Sequence, residues 1–152
     1  MQLPNEIFIP EISRLVSQGK QVVFTPTGCS MRPYIEGGVD NVTLVSPTDL
    51  TVGTIVLAEI QPQHYVLHRI YDLQGDTVIL MGDGNLQGQE RCARKQVLAK
   101  VVAIHSPQGR RKPLTRAWLW RHMMRSRRLW LKIYRHTCLK IINHKSSIIN
   151  HQ

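Results

Sequence analysis

Apolar positions along the chain change period twice. Over residues 5 to 19, Ile7, Ile12, Leu15 and Val16 recur at roughly helical spacing, and Gly19 is a natural stop. That spacing predicts one short amphipathic helix, with Pro10 in its first turn. From residue 22 onward the apolar runs shorten and fill with Val, Ile, Leu and Thr. Residues 22–24, 41–45, 54–60, 64–71, 77–81 and 96–105 read as strands. Between them, 47–53 is a loop, 62–64 a tight connection, and 72–76 has the composition of a hairpin turn. About six short strands with little helix predict a mainly β domain, a small barrel or sandwich-like sheet.

The helical period returns after residue 113. From Leu114 to about Ile142 there is no Gly or Pro, and Arg121, Arg125, Arg128, Lys132 and Arg135 step along one side. Trp120, Met124, Leu131, Tyr134, Cys138 and Ile141 line much of the other, with Trp118 and Trp130 at the boundaries. A long helix with a cationic face, an apolar face and edge tryptophans is the pattern of an interfacial membrane helix. Three readings are ranked for it: an anionic membrane surface first, packing back onto the β domain second, nucleic acid third. The expected organisation is a β domain over 1–106, a polar linker over 107–113 and a basic amphipathic appendage over 114–152.

Charge changes the picture only once it is located. Of the formal +10, residues 1–113 hold eleven Lys/Arg against ten Asp/Glu, a net of +1. Residues 114–152 hold nine Lys/Arg and no acid, the remaining +9. The β body is nearly neutral and the basicity belongs to the C-terminal segment, while the body offers no helix-turn-helix, zinc-finger or RNA-binding aromatic pattern to support nucleic-acid binding. Cys29, Cys92 and Cys138 are odd in number and lack metal-ligand spacing, which argues for reduced thiols and neither metal nor cofactor. No signal peptide is visible, and no run reaches the ~18 apolar residues that span a bilayer. A cytoplasmic protein is expected, peripheral on the cytoplasmic membrane if its basic helix lies on lipid.

The stretch with the most chemistry is Gly28-Cys29-Ser30-Met31-Arg32-Pro33, directly after the first strand. A serine hydroxyl is a weak nucleophile until a base takes its proton, and the reaction also needs donors aimed at the oxyanion. Ser30 lies in a turn bounded by Pro26 and Pro33, and Gly28 removes a side chain where a substrate backbone has to approach. His64 and His68 are the two histidines within the sheet, four apart and therefore on one face of a regular strand. On spacing alone, a turn serine and a strand histidine are more often structural than catalytic.

The order of motifs carries more than any one of them. Gly28 to Pro33 is followed by Gly38 and Asp40, Gly53-Thr54-Ile55-Val56, Val66-Leu67-His68-Arg69-Ile70 and Gly82-Asp83-Gly84-Asn85. This succession, over about Val22 to Ile104, resembles the type I signal peptidase superfamily, which also contains the self-cleaving SOS-repressor peptidases. His68-Arg69-Ile70 is similar to the branch whose base is histidine rather than lysine.

The resemblance implies a mostly β core that hydrolyses a peptide bond, with Ser30 as nucleophile, His68 as general base and Asp83 as the supporting acid. Glu90 is the nearest candidate for the second acid that such enzymes place downstream. Gly28, Cys29, Met31 and Pro33 are the implied oxyanion and substrate-binding positions. Gly28 stands where many members carry a hydroxyl, which leaves the oxyanion to the amide of Ser30, helped by Thr27. A histidine, at ~6.5 when free, is already partly a free base at neutral pH and needs no deep apolar pocket.

The chain departs from the family in several places. Gly37-Gly38-Val39-Asp40 is one residue longer than the usual Gly-Asp, Gly53-Thr54 replaces a second Gly-Asp, and the 29 residues before Ser30 hold no membrane-spanning helix. The function expected is a serine endopeptidase acting on an extended peptide or leader segment, its partner a peptide or protein substrate. The rival expectations are a catalytically inactive module of the same fold that binds or regulates, and nucleic-acid binding through the C-terminal helix.

Overall fold

Eight strands form one antiparallel sheet, ordered β1-β2-β7-β3-β4-β5-β6 with β8 paired to β7. The computed structural model of the protein describes residues 5–85 and 87–112, together with Leu129, Leu131, Lys132, Ile133 and His136. Helix α1 spans Asn5–Ser17. The strands are β1 Val22–Phe24, β2 Asn41–Val45, β3 Ile55–Gln61, β4 His64–Gln74, β5 Thr77–Met81, β6 Glu90–Ala93, β7 Val97–His105 and β8 Arg111–Lys112. The mainly β class expected from the sequence is observed, as a curled sheet open between β1 and β6 rather than a closed barrel.

α1 forms where the helical period lies, and Ile9, Ile12 and Val16 turn inward at 5%, 1% and 1% exposure. Gly19 ends it at φ +77°, a left-handed conformation that lets Lys20 N–H reach the Leu15 carbonyl. Pro10 lies deeper than the first turn expected for it, because the helix begins at Asn5. The buried stripe packs with Met31, Ile35, Val42, Leu44, Ile55, Leu57 and Ile104 into one core.

A second core holds Leu50, Val56, Ala58, Ile70, Val78, Leu80 and Cys92. β3 serves both, sending Ile55 and Leu57 to the first and Val56 and Ala58 to the second, as strand alternation requires. Its unbroken apolar run exists because the sheet is covered on both faces. Cys92 belongs to this packing, and burial pushes its thiol above the ordinary range.

Two strands were not expected from the sequence. β6 pairs with β5 through Leu80↔Glu90 to Thr77↔Ala93. β8 lies inside the stretch read as a linker. A turn over Ser106–Arg110, with Gly109 at φ +73°, returns Arg111 and Lys112 onto His105 and Ile104. The polar residues of 107–112 are thus a hairpin rather than a spacer.

The chain divides into two units, Met1–Ala117 and Trp118–Gln152. Within the second, the five described residues are helical, with Leu131 buried and Leu129, Lys132, Ile133 and His136 exposed. The rest of the basic amphipathic helix expected over 114–152 lies outside the described residues. Among the described residues, no helix is long and apolar enough to cross a membrane.

The first core joins α1 to the residues just after Ser30, so it should be sensitive to loss of a methylene-rich side chain. Ile12→Ala is expected to cost about 2–5 kcal/mol, read as a lower denaturant midpoint at unchanged slope. A midpoint within error of wild type contradicts this packing.

Candidate active site

Strand alternation decides which residues of β4 meet which part of the molecule. His68 pairs across β3 with Val56, and Arg69 with Ile55, so the two neighbours point to opposite faces. Ile70, Leu80 and Glu90 form one row across β4, β5 and β6. Glu90 therefore shares a face with Ile70 and, two residues earlier, with His68.

On that face the side chains connect. His68 is buried at 5% exposure, and its Nδ1 lies 2.9 Å from Glu90 Oε2. Its Nε2 lies 3.0 Å from Ser30 Oγ, within the hydrogen-bond reach expected of a nucleophile and its base. A carboxylate only accepts hydrogen bonds. Nδ1 of the neutral ring therefore carries the proton and donates to Glu90, which leaves Nε2 to accept from the Ser30 hydroxyl.

The acid expected at this position was Asp83, and the structure corrects that expectation. Asp83 is buried against the opposite neighbour: Arg69 Nε donates to Oδ1 at 2.9 Å and Nη2 to Oδ2 at 2.6 Å. Both side chains are essentially inaccessible, at 1% and 0%. A buried guanidinium requires a counter-charge, and Asp83 supplies it. Glu90, the second candidate, is the carboxylate on the imidazole.

Ser30 is delivered by backbone contacts. Arg32 N–H donates to the Cys29 carbonyl and Ile35 N–H to the Met31 carbonyl, making a tight turn around the serine. Gly84 N–H donates to the Ser30 carbonyl at 2.7 Å. The glycines flanking Asp83 are needed there. A Cβ at Gly82 would stand 2.6 Å from the Ser30 oxygen, and one at Gly84 would stand 3.0 Å from the oxygens of Cys29 and Arg32. Gly37 lies against Gly28 in the same way, with a Cβ reaching 1.9 Å from its carbonyl oxygen. Asp40, 1% exposed, closes the loop by accepting from Glu36 N–H.

A cavity of about 130 Å³ opens beside the Ser30–His68 contact, walled by Pro26 to Gly28, Met31, Ile35 and Gly37 on one side and by Tyr65 to Leu67 on the other. Of the four implied substrate-binding positions, Gly28 and Met31 line it. Cys29 and Pro33 do not: the turn directs both outward, and both are exposed. Among the described residues nothing accepts from Ser30 N–H, which leaves that donor available beside the cavity. Thr27 lines the same cavity. His64, the other histidine of β4, is exposed at the start of the strand, away from Ser30. Among the described residues, no cluster of His, Cys, Asp or Glu has the arrangement of a metal site.

No family model, curated protein or solved structure matches this chain.

The crowding at Gly82 gives a sharp expectation. Gly82→Ala forces the Ser30 carbonyl to move and should lower stability by about 1–3 kcal/mol. Chemical denaturation measures this, and a neutral substitution contradicts the close approach.

Proposed function

We propose that the chain is a signal-peptidase-like serine peptidase that hydrolyses a peptide bond in an extended peptide or leader segment. Ser30 is the nucleophile, His68 the general base and Glu90 the acid that orients the imidazole. The observation that carries this reading is the continuous contact from Ser30 Oγ through His68 to Glu90, at 3.0 and 2.9 Å. The ordered motifs from Gly28 to Asn85 support it independently.

The steps follow from that geometry. Ser30 Oγ attacks the substrate carbonyl carbon as its proton passes to His68 Nε2. The Ser30 N–H stabilises the tetrahedral oxyanion, and Glu90 offsets the positive charge on the ring. The imidazolium returns the proton to the departing amine, leaving an ester on Ser30. Water activated by the same nitrogen then hydrolyses that ester and restores the serine.

Substrate binding has a backbone rationale. β5 pairs with β4 only from Arg69 onward, so beside Val66–His68 no described strand occupies the second edge. An extended peptide added there as a further strand runs past Ser30, with main-chain hydrogen bonds supplying affinity and the cavity receiving one side chain.

A fluorophosphonate probe read by intact mass tests the assignment. Wild type should gain one adduct on Ser30, and Ser30→Ala none. Glu90→Gln should label about 10²- to 10⁴-fold more slowly while still binding peptide. Equal labelling of wild type and Ser30→Ala sinks the reading, whereas wild-type rates in Glu90→Gln remove only the role given to Glu90.

A further inference from the structure

Arg69 is fully enclosed, yet it touches three separate stretches of chain. Its Nε and Nη2 hold Asp83 in the turn after β5, and its Nη1 donates to the Gly53 carbonyl at 2.8 Å in the turn before β3. Its guanidinium also lies 5.4 Å from the centre of the Tyr34 ring, four residues beyond Ser30. The hydrogen bonds of the Ser30 hydroxyl and the imidazole run to one another and to Glu90.

We propose that Arg69, Asp83 and Tyr34 form a positioning clamp that sets the separation between Ser30 and His68. The loop carrying Ser30 is held at both ends from the rear of β4. At one end the Ser30 carbonyl accepts from Gly84 N–H, and Gly84 is joined to Asp83, which is fixed on Arg69. At the other end Tyr34 packs over the same guanidinium, and the turn between is closed by Tyr34 N–H to the Met31 carbonyl. Arg69 is covalently next to His68 and faces the opposite way. One residue therefore grips the loop from behind while its neighbour meets the serine in front.

The clamp acts through distance rather than charge. Arg69 and Asp83 neutralise one another, and Glu90 alone of the carboxylates reaches the ring among the described residues. A displacement of about 1 Å at reacting atoms is enough to cost ~10²-fold in rate. A buried ion pair with a stacked aromatic is a stiff way to prevent it.

The proposal rests on the peptidase reading for its rate arm only, and ¹⁵N NMR of the His68 ring tests it without turnover. Arg69→Lys, Tyr34→Leu and Tyr34→Phe are compared with wild type and Ser30→Ala, each checked for cooperative unfolding. Arg69→Lys and Tyr34→Leu should move the Nε2 resonance toward that of Ser30→Ala and slow probe labelling by about 10-fold or more. Tyr34→Phe, which keeps the ring, should restore both. If Arg69→Lys does not fold, Tyr34→Leu against Tyr34→Phe decides alone. Folded Arg69→Lys and Tyr34→Leu with wild-type resonances overturn the clamp. A wild-type protein that ignores the probe while its Nε2 signal still follows these substitutions sinks the peptidase reading and leaves the clamp standing.

Discussion

The opposite orientation of His68 and Arg69 on β4 is the constraint on which the site depends. Alternation along a strand is set by backbone geometry, so the pair can serve two faces only while β4 stays in register with β3 and β5. His68 takes its position between Ser30 and Glu90 on one side. Arg69 takes Asp83, Gly53 and Tyr34 on the other. Removing one partner of a buried pair such as Arg69–Asp83 typically costs about 3–5 kcal/mol, because the other charge remains buried. A slip of one residue would exchange the two faces and bury the imidazole where the guanidinium belongs.

Around that strand the glycines solve a spacing problem. The loop carrying Ser30, the turn after β5 and the segment at Gly37 approach so closely that backbone meets backbone. Gly37, Gly82 and Gly84 each stand where a methyl group would fall 1.9 to 3.0 Å from a carbonyl oxygen. The two cores hold these loops from outside: the first through Met31 and Ile35, the second through the row that ends at Glu90. The packing and the site are thus built from the same residues, with Ser30 between Cys29, which faces solvent, and Met31, which faces the core.

Much of this was legible in the sequence because β2, β3, β5 and β7 are short apolar runs rich in β-branched residues, bounded by Gly, Pro, Asn and Asp. The Ser30 turn, His68 and the Gly-Asp-Gly turn were singled out by the order of the motifs, since spacing alone left a turn serine and a strand histidine as structural residues. β6 could not, since Glu90-Arg91-Cys92-Ala93 has no β-branched residue and becomes a strand only because β5 offers it an edge. The assignment of Asp83 failed for a related reason. A turn aspartate beside glycines looks free to serve a histidine, and the competing demand came from Arg69, whose burial the sequence shows only indirectly. The available signal was an arginine among Leu67, His68 and Ile70, because a charge inside an apolar strand needs a counter-ion from elsewhere. Glu90 and Cys92, two residues apart, carried a fainter signal of a shared face.

The central claim is chemical, that the contact from Ser30 to Glu90 cuts peptide bonds. Incubating the full chain with a diverse peptide library and sequencing the new termini by mass spectrometry tests it most directly, with Ser30→Ala as the folded control. The account predicts cuts that share a side-chain preference at the residue entering the cavity and that vanish in Ser30→Ala. A folded wild-type protein that produces no cut beyond those of Ser30→Ala contradicts it.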